Sequence, residues 1–182
     1  MNLLTDKTPD FLIVGGEKIK IKTDFFVWVR FLISFEKNDI AAVERSFVEI
    51  FDGVPNKSAY ADIINAIYEW LNLANEVYFK SEKKNAECIS FQYDGNVIYA
   101  EMWKYFPHMM KKGITYQEGM ELINLLLGDE KTNLWHRAYA RSGDFSKLDK
   151  EQKKYWEKER IKYRLPLKNK QENTDDILSR AF

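Results

Sequence analysis

The sequence predicts a mainly α-helical domain of six to seven helices with a small N-terminal β-hairpin. Three observations lead there. From about residue 24 onward, apolar residues recur three and four apart, the spacing of one face of a helix. Capping residues and glycines bracket those runs. Only the first 23 residues alternate with the period of two that a strand needs, and they do so around Gly15-Gly16.

The opening run "DFLIVGGEKIKIKTD" sets Phe11 to Val14 before the two glycines, then Lys18, Lys20 and Lys22 alternating with Ile19 and Ile21. Gly-Gly suits a two-residue hairpin because the favoured turns need positive φ. A lone hairpin is marginal, so it must lie on something. The next run, "DFFVWVRFLISFEKND", is nearly all apolar, and its β-branched residues leave helix and strand both open. Arg30, Ser34 and Lys37 fall three or four apart and give a helix one polar line, so helix is favoured. Asp39 caps a clearer helix with Ile40, Val43, Phe47 and Ile50 at helical spacing; Gly53 ends it and Pro55 sits in the break. In "SAYADIINAIYEWLNLANEVYFK" the stripe Tyr60, Ile63, Ile64, Ile67, Trp70, Leu71, Ala74, Val77 and Tyr78 runs over about five turns. "SEKKNAEC" reads as a loop.

The aromatic-rich stretch "FQYDGNVIYAEMWKYFPHMM" reads as a helix that begins near Gly95 with Asp94 as N-cap. Ile98, Met102 and Tyr105 share a face with Tyr99, Trp103 and Phe106 beside them. Glu101, Lys104, His108 and Lys111 fall on a solvated side, and Pro107 ends or kinks the helix near Phe106. These rings are most simply core; the other reading is a surface groove for a partner. Thr115 with Glu118 forms a capping box ahead of Ile123, Leu126 and Leu127, with Gly128 as the stop. Leu134, Trp135, Ala138 and Tyr139 mark the next helix, ended by Ser142-Gly143. Asp149 opens the last, anchored by Trp156 and Tyr163. The expected organisation is therefore a hairpin segment over 1–23, a helical domain over 24–164 and a polar, mobile tail over 165–182.

Composition bounds the function. Of 182 residues, 45% are apolar and 15% aromatic, enough for a core. Lys plus Arg balances Asp plus Glu at 28 each, which argues against wholesale attraction to nucleic acid or membranes. A single cysteine, Cys88, asks for no oxidising compartment. The N-terminus lacks the pattern of a secretory signal. The longest apolar run, "FFVWVRFLISF", is broken by Arg30 and Ser34 and falls short of the roughly 20 residues of a membrane span. A cytoplasmic protein is expected.

Chemistry-bearing patterns are scarce. The soft metal ligands are His108, His136 and Cys88, in different predicted elements, whereas structural zinc takes four ligands in close pairs. Gly15-Gly16 precedes a strand and lacks phosphate-loop spacing. Asp175-Asp176 and Glu157/Glu159 lie in exposed-looking segments where nothing raises a carboxyl pKa. No catalytic, cofactor-binding or metal-binding residue is expected, and no enzyme. One electrostatic feature remains. Lys147, Lys150, Lys154, Lys158 and Lys162 recur every three or four residues, with His136, Arg137 and Arg141 upstream. A phosphate-tracking stripe is one reading. A solvated helix face interleaved with Glu151, Glu157 and Glu159 is the favoured one, and a protein contact ranks ahead of nucleic acid.

Three blocks carry a resemblance. Leu3, Leu4, Thr5, Asp6, Lys7, Pro9, Gly16, Thr23, Asp24, Phe25 and Trp28 fall in the first; Tyr93, Asp94, Ile98, Tyr99 and Ala100 in the second; Arg141, Tyr155, Tyr163 and Pro166 in the third. In this order, over roughly Leu3 to Pro166, they resemble a family of small tailed-phage proteins named after the fifteenth gene product of a siphophage of Gram-positive hosts. Where that family carries a Trp-rich patch ahead of the helix at 115–127, this chain has "ITYQEGMEL". The resemblance implies a non-enzymatic tail morphogenesis protein of the host bacterial cytoplasm, phage or prophage encoded. It would be a tail assembly chaperone binding tape measure or tail tube subunits, with self-association. Such a role needs exposed apolar surface. The candidates are Trp28, Trp103 and Phe106, joined by Lys147, Lys150, Lys154 and Lys158. The alternatives are a basic-helix nucleic-acid binder and a structural component of the virion.

Overall fold

The computed structural model describes residues 8–37, 39–51, 60–73 and 88–166. They form a two-stranded antiparallel hairpin, β1 (Phe11–Val14) and β2 (Glu17–Lys20), and eight helices. These are α1 (Phe25–Glu36), α2 (Ile40–Phe51), α3 (Tyr60–Asn72), α4 (Phe91–Tyr105), α5 (Pro107–Lys112), α6 (Tyr116–Gly128), α7 (Asn133–Ser142) and α8 (Lys150–Tyr163). The expected features at Gly53, Pro55, Ala74, Val77 and Tyr78, nearly all of "SEKKNAEC", and the tail beyond Pro166 lie outside the described residues.

The stretch expected as one helical domain divides into two compact units, and the division falls within α6, between Glu121 and Leu122. Among the described residues the first unit holds β1, β2, α1, α2, α3 and residues 112–121. The hairpin follows from its turn: Gly15 and Gly16 take φ of 57° and 85°, both left-handed, as a two-residue turn between twisted strands requires. Leu12 and Val14 of β1 are buried, and β1 packs on α3. Two tryptophans fasten the hairpin segment at both ends. The Trp70 indole donates to the Pro9 carbonyl at 2.8 Å, and the Trp28 indole to the Lys22 carbonyl at 2.8 Å. Their rings stack with centroids 4.4 Å apart, and Tyr116 packs on both.

Asp24 caps α1 by accepting from the backbone N–H of Phe26 and Val27 at 2.9 and 3.0 Å. The chain entering α1 pairs with the chain entering α6: Phe25 N–H donates to Ile114 O at 2.9 Å, and Tyr116 N–H to Thr23 O at 2.7 Å. The capping box of α6 forms as expected, with Glu118 accepting from Thr115 N–H at 2.7 Å and Glu118 N–H donating to Thr115 Oγ1 at 3.2 Å. Ser34, placed by the sequence on a polar line of α1, is instead buried; its hydroxyl donates back to Phe31 O at 2.6 Å, so it needs no solvent.

The second unit holds α4, α7, α8, most of α5 and the end of α6. Here α7 packs on both α4 and α8. Pro107 ends α4, as expected, and also begins α5, because the first position of a helix has no use for the N–H that proline lacks. The helix expected to start near Gly95 starts one turn earlier, with Ser90 as its N-cap residue and Asp94 inside the first turn.

Candidate partner-binding faces

The buried charges of the second unit are consumed by its own architecture. Asp94, expected as an N-cap, is fully buried inside the first turn of α4. One oxygen accepts from Ser90 N–H at 2.9 Å and from Arg141 Nη1 at 2.5 Å; the other accepts from Arg141 Nη2 at 2.9 Å and Arg137 Nη1 at 3.1 Å. Arg141 also donates from Nε to Tyr163 O at 2.7 Å and from Nη1 to Cys88 O at 3.0 Å. One guanidinium thus ties the approach to α4, the helix α7 and the end of α8. Burial alone would push the Asp94 carboxyl up. The hydrogen bond from Arg141, the Ser90 N–H, the Arg141 charge and the Arg137 hydrogen bond together outweigh burial and hold its pKa below the ordinary value. A carboxylate kept ionised and fully partnered is a strut, not a proton shuttle.

Glu101 was expected on a solvated side of α4. It is buried because it caps α7, accepting from Asn133 N–H at 2.6 Å, Asn133 Nδ2 at 3.1 Å and Leu134 N–H at 3.0 Å. At the other end of α7, Arg160 donates to Ala140 O at 3.0 Å and Gly143 O at 2.6 Å while lying 3.9 Å over the Phe145 ring. His136 meets Glu159 at 2.7 Å inside a ring of Tyr155, Trp156 and Tyr163. The His136 hydrogen bond is the main reason the Glu159 pKa lies below its ordinary value. Among the described residues no group of three or more His, Cys, Asp and Glu is placed to hold a metal, and no helix is long and apolar enough to cross a membrane.

The candidate surface residues separate under this geometry. Trp28 is a correction: it is 0% exposed, stacked on Trp70, and contributes to the core and not to a groove. Its richness in apolar neighbours is the reason, since a helix of "FFVWVRF" has little polar surface to turn outward. Trp103 and Phe106 are half-buried on and just after α4. Trp103 lies edge-on to Tyr99, and its indole nitrogen is buried without a hydrogen-bond partner. Tyr93 and Tyr99 are exposed, although Tyr99 read as part of the apolar stripe. Lys147, Lys150, Lys154 and Lys158 are all exposed on or just before α8.

Sequence reading missed two features. The Asp94–Arg141 pair carried a signal, because both residues fall in the motif blocks, but nothing in local spacing joins positions 47 apart. Ile161, 78% exposed, was passed over because a lone apolar residue in a polar helix has no periodic partner. Comparison of the chain with family models, curated proteins and solved structures finds no match in any of the three.

Proposed function

We propose that this chain is a non-enzymatic phage tail morphogenesis protein, a tail assembly chaperone that binds tape measure or tail tube subunits in the host bacterial cytoplasm. One observation carries the reading: several of the described motif residues that resemble the phage family act here as structural anchors. Asp24 caps α1, Trp28 holds the hairpin segment, Asp94 and Arg141 pair in the second unit, and the Tyr163 carbonyl receives Arg141. Residues that build an architecture, and not a reactive site, are what a binding protein needs in common with its relatives. The exposed ring of Tyr99 against half-buried Trp103 supplies apolar surface for a helical client, and Tyr93 is a further exposed ring on α4.

Co-expression with tape measure fragments and with the tail tube subunit, followed by affinity capture, tests the proposal. Capture of at least one, weakened by Tyr99→Ala with Trp103→Ala, is expected. Capture of none would overturn it. The exposed lysines of α8 favour one second reading, a nucleic-acid binder used in packaging or regulation. It predicts affinity that falls steeply with salt and with Lys154→Glu plus Lys158→Glu; absence of binding at low salt removes it. Purified particles containing the protein would instead make it a structural component of the virion.

A further inference from the structure

The outward face of α8 carries charge that the fold does not use. Lys150, Lys154 and Lys158 follow one another at four-residue steps, a row with a rise of roughly 6 Å per step, and Lys147 extends it from the preceding turn. None of the four makes an ion pair within 4 Å with a described residue. Four other cations of α7 and α8 are committed, Arg137 and Arg141 to Asp94, Arg160 to backbone carbonyls and Lys162 to Glu159, while Lys153 is exposed beside the row. Like charges four apart disfavour a helix by a few tenths of a kcal/mol per pair, so the row weakens the element that bears it. Three residues beyond Lys158, on the same side, stands Ile161 at 78% exposure, the highest among the exposed large apolar residues.

We propose that this face docks an acidic helix of a partner protein, with carboxylates four residues apart meeting Lys150, Lys154 and Lys158 and one apolar side chain covering Ile161. This deepens the partner-binding reading above and rests on it for the claim that a protein client exists. Charge complementarity selects an acid. The flanking Glu151 and Glu157, both exposed, select a discrete peptide over a nucleic acid: a continuous run of phosphates would meet both carboxylates, whereas a helix can place neutral or basic residues against them. Ile161 points the same way, because a phosphate backbone offers its sec-butyl side chain nothing to pack on.

The test uses the full chain and fluorescence anisotropy at low salt. One probe is a helical peptide of about 16 residues with Glu at three positions four apart and one Leu on the same face. The second probe is the same peptide with Ser for Leu, and the third is a DNA duplex of about 20 base pairs. The Leu peptide should bind. Lys154→Glu with Lys158→Glu should weaken it at least ~10-fold, and Ile161→Ser should weaken the Leu peptide several-fold while leaving the Ser peptide unchanged. All three positions are exposed, so far-ultraviolet circular dichroism should be unaltered. Tighter binding of the duplex than of the Leu peptide, no response to charge reversal, or equal affinity for Leu and Ser peptides would each overturn the proposal. If tape measure or tail tube capture succeeds and ignores the charge reversal, this surface is wrong and the chaperone reading stands. If capture fails while the Leu peptide binds as described, the reverse holds.

Discussion

At the scale of single residues, the buried carboxylate of Asp94 ties α4 to α7 in the second unit. Asp94 faces two guanidinium groups and a backbone N–H, with Arg141 itself only 6% exposed at the side chain. Removing one member of a buried pair leaves the other desolvated and uncompensated, which costs about 3–5 kcal/mol. Asp94→Asn should therefore lower the unfolding free energy by about 3 kcal/mol or more at pH 7, read from urea denaturation. The pH dependence has a definite sign. The folded pKa of Asp94 lies below its ordinary 3.8, so its contribution is fully present above that value and is lost as pH falls through the folded value. Wild-type stability should decline below about pH 4, and Asp94→Asn should flatten that decline; an identical slope in the variant would contradict the assignment. Gln117 is the converse case. It is fully buried with Nε2 donating to Trp70 O at 3.3 Å, yet its Oε1 has no partner. The Trp70 carbonyl also accepts from Leu73 N–H at 3.2 Å, so it would not be orphaned without Gln117. Gln117→Met removes an unsatisfied acceptor of the kind that costs about 1–3 kcal/mol and should be neutral or stabilising by thermal melting. A drop of several degrees would show that the amide has a partner of its own.

At the scale of elements, most of the helices were readable because their end signals are local. Asp39, the Thr115–Glu118 box and Asp149 each act within a few residues of themselves, and all three cap as expected. Gly15-Gly16 fixed the hairpin in the same way, through backbone conformation alone. What failed was assignment of polar side chains to solvent. Glu101 is buried because its partners lie at the α7 start, and Ser34 because its hydroxyl turns back to its own preceding turn; Asp94, read as an N-cap, is buried against α7, and no helical period encodes a partner on another helix. Trp135 and Tyr139, read as markers of α7, and Trp156, read as an anchor of the last helix, meet with Phe145 in an aromatic cluster that seats an α8 with no buried residue of its own. Glycine gives a further example. Gly119 lies in the interior of α6, and a Cβ there would sit 2.1 Å from the Phe25 ring, itself buried. The small residue allows α6 to run against the start of α1. Gly119→Ala, which would stabilise an open helix by roughly 1 kcal/mol, should here destabilise by about 1–3 kcal/mol because a packed ring must move. Denaturant midpoints of wild type and variant decide it, and a rise would mean that Phe25 yields freely.

At the scale of the whole molecule, a formal net charge of zero conceals a division of labour. Carboxylates such as Asp94 and Glu101 are spent inside on helix ends and counter-ions, while Lys147, Lys150, Lys154 and Lys158 stand outside. Balance over the chain is therefore no guide to the field that a partner meets on α8. Chain order has a parallel consequence. The first unit is not one continuous segment, since residues 112–121 return to it after α4. Those residues bring Tyr116 against Trp28 and Trp70, supply the Ile114 carbonyl to Phe25 N–H, and place Gly119 under the Phe25 ring. Losing one buried large aromatic costs about 3–5 kcal/mol, against the 5–15 kcal/mol total of an ordinary domain. A fragment ending at Lys111 should thus lack the near-ultraviolet dichroism of the stacked tryptophans and unfold without a cooperative urea transition. A fragment extended to Gly128, which completes α6, should recover both signals. Equal spectra from the two fragments would mean that the tryptophan core closes without its returning segment, and that the hairpin, α1, α2 and α3 suffice to hold Trp28 on Trp70.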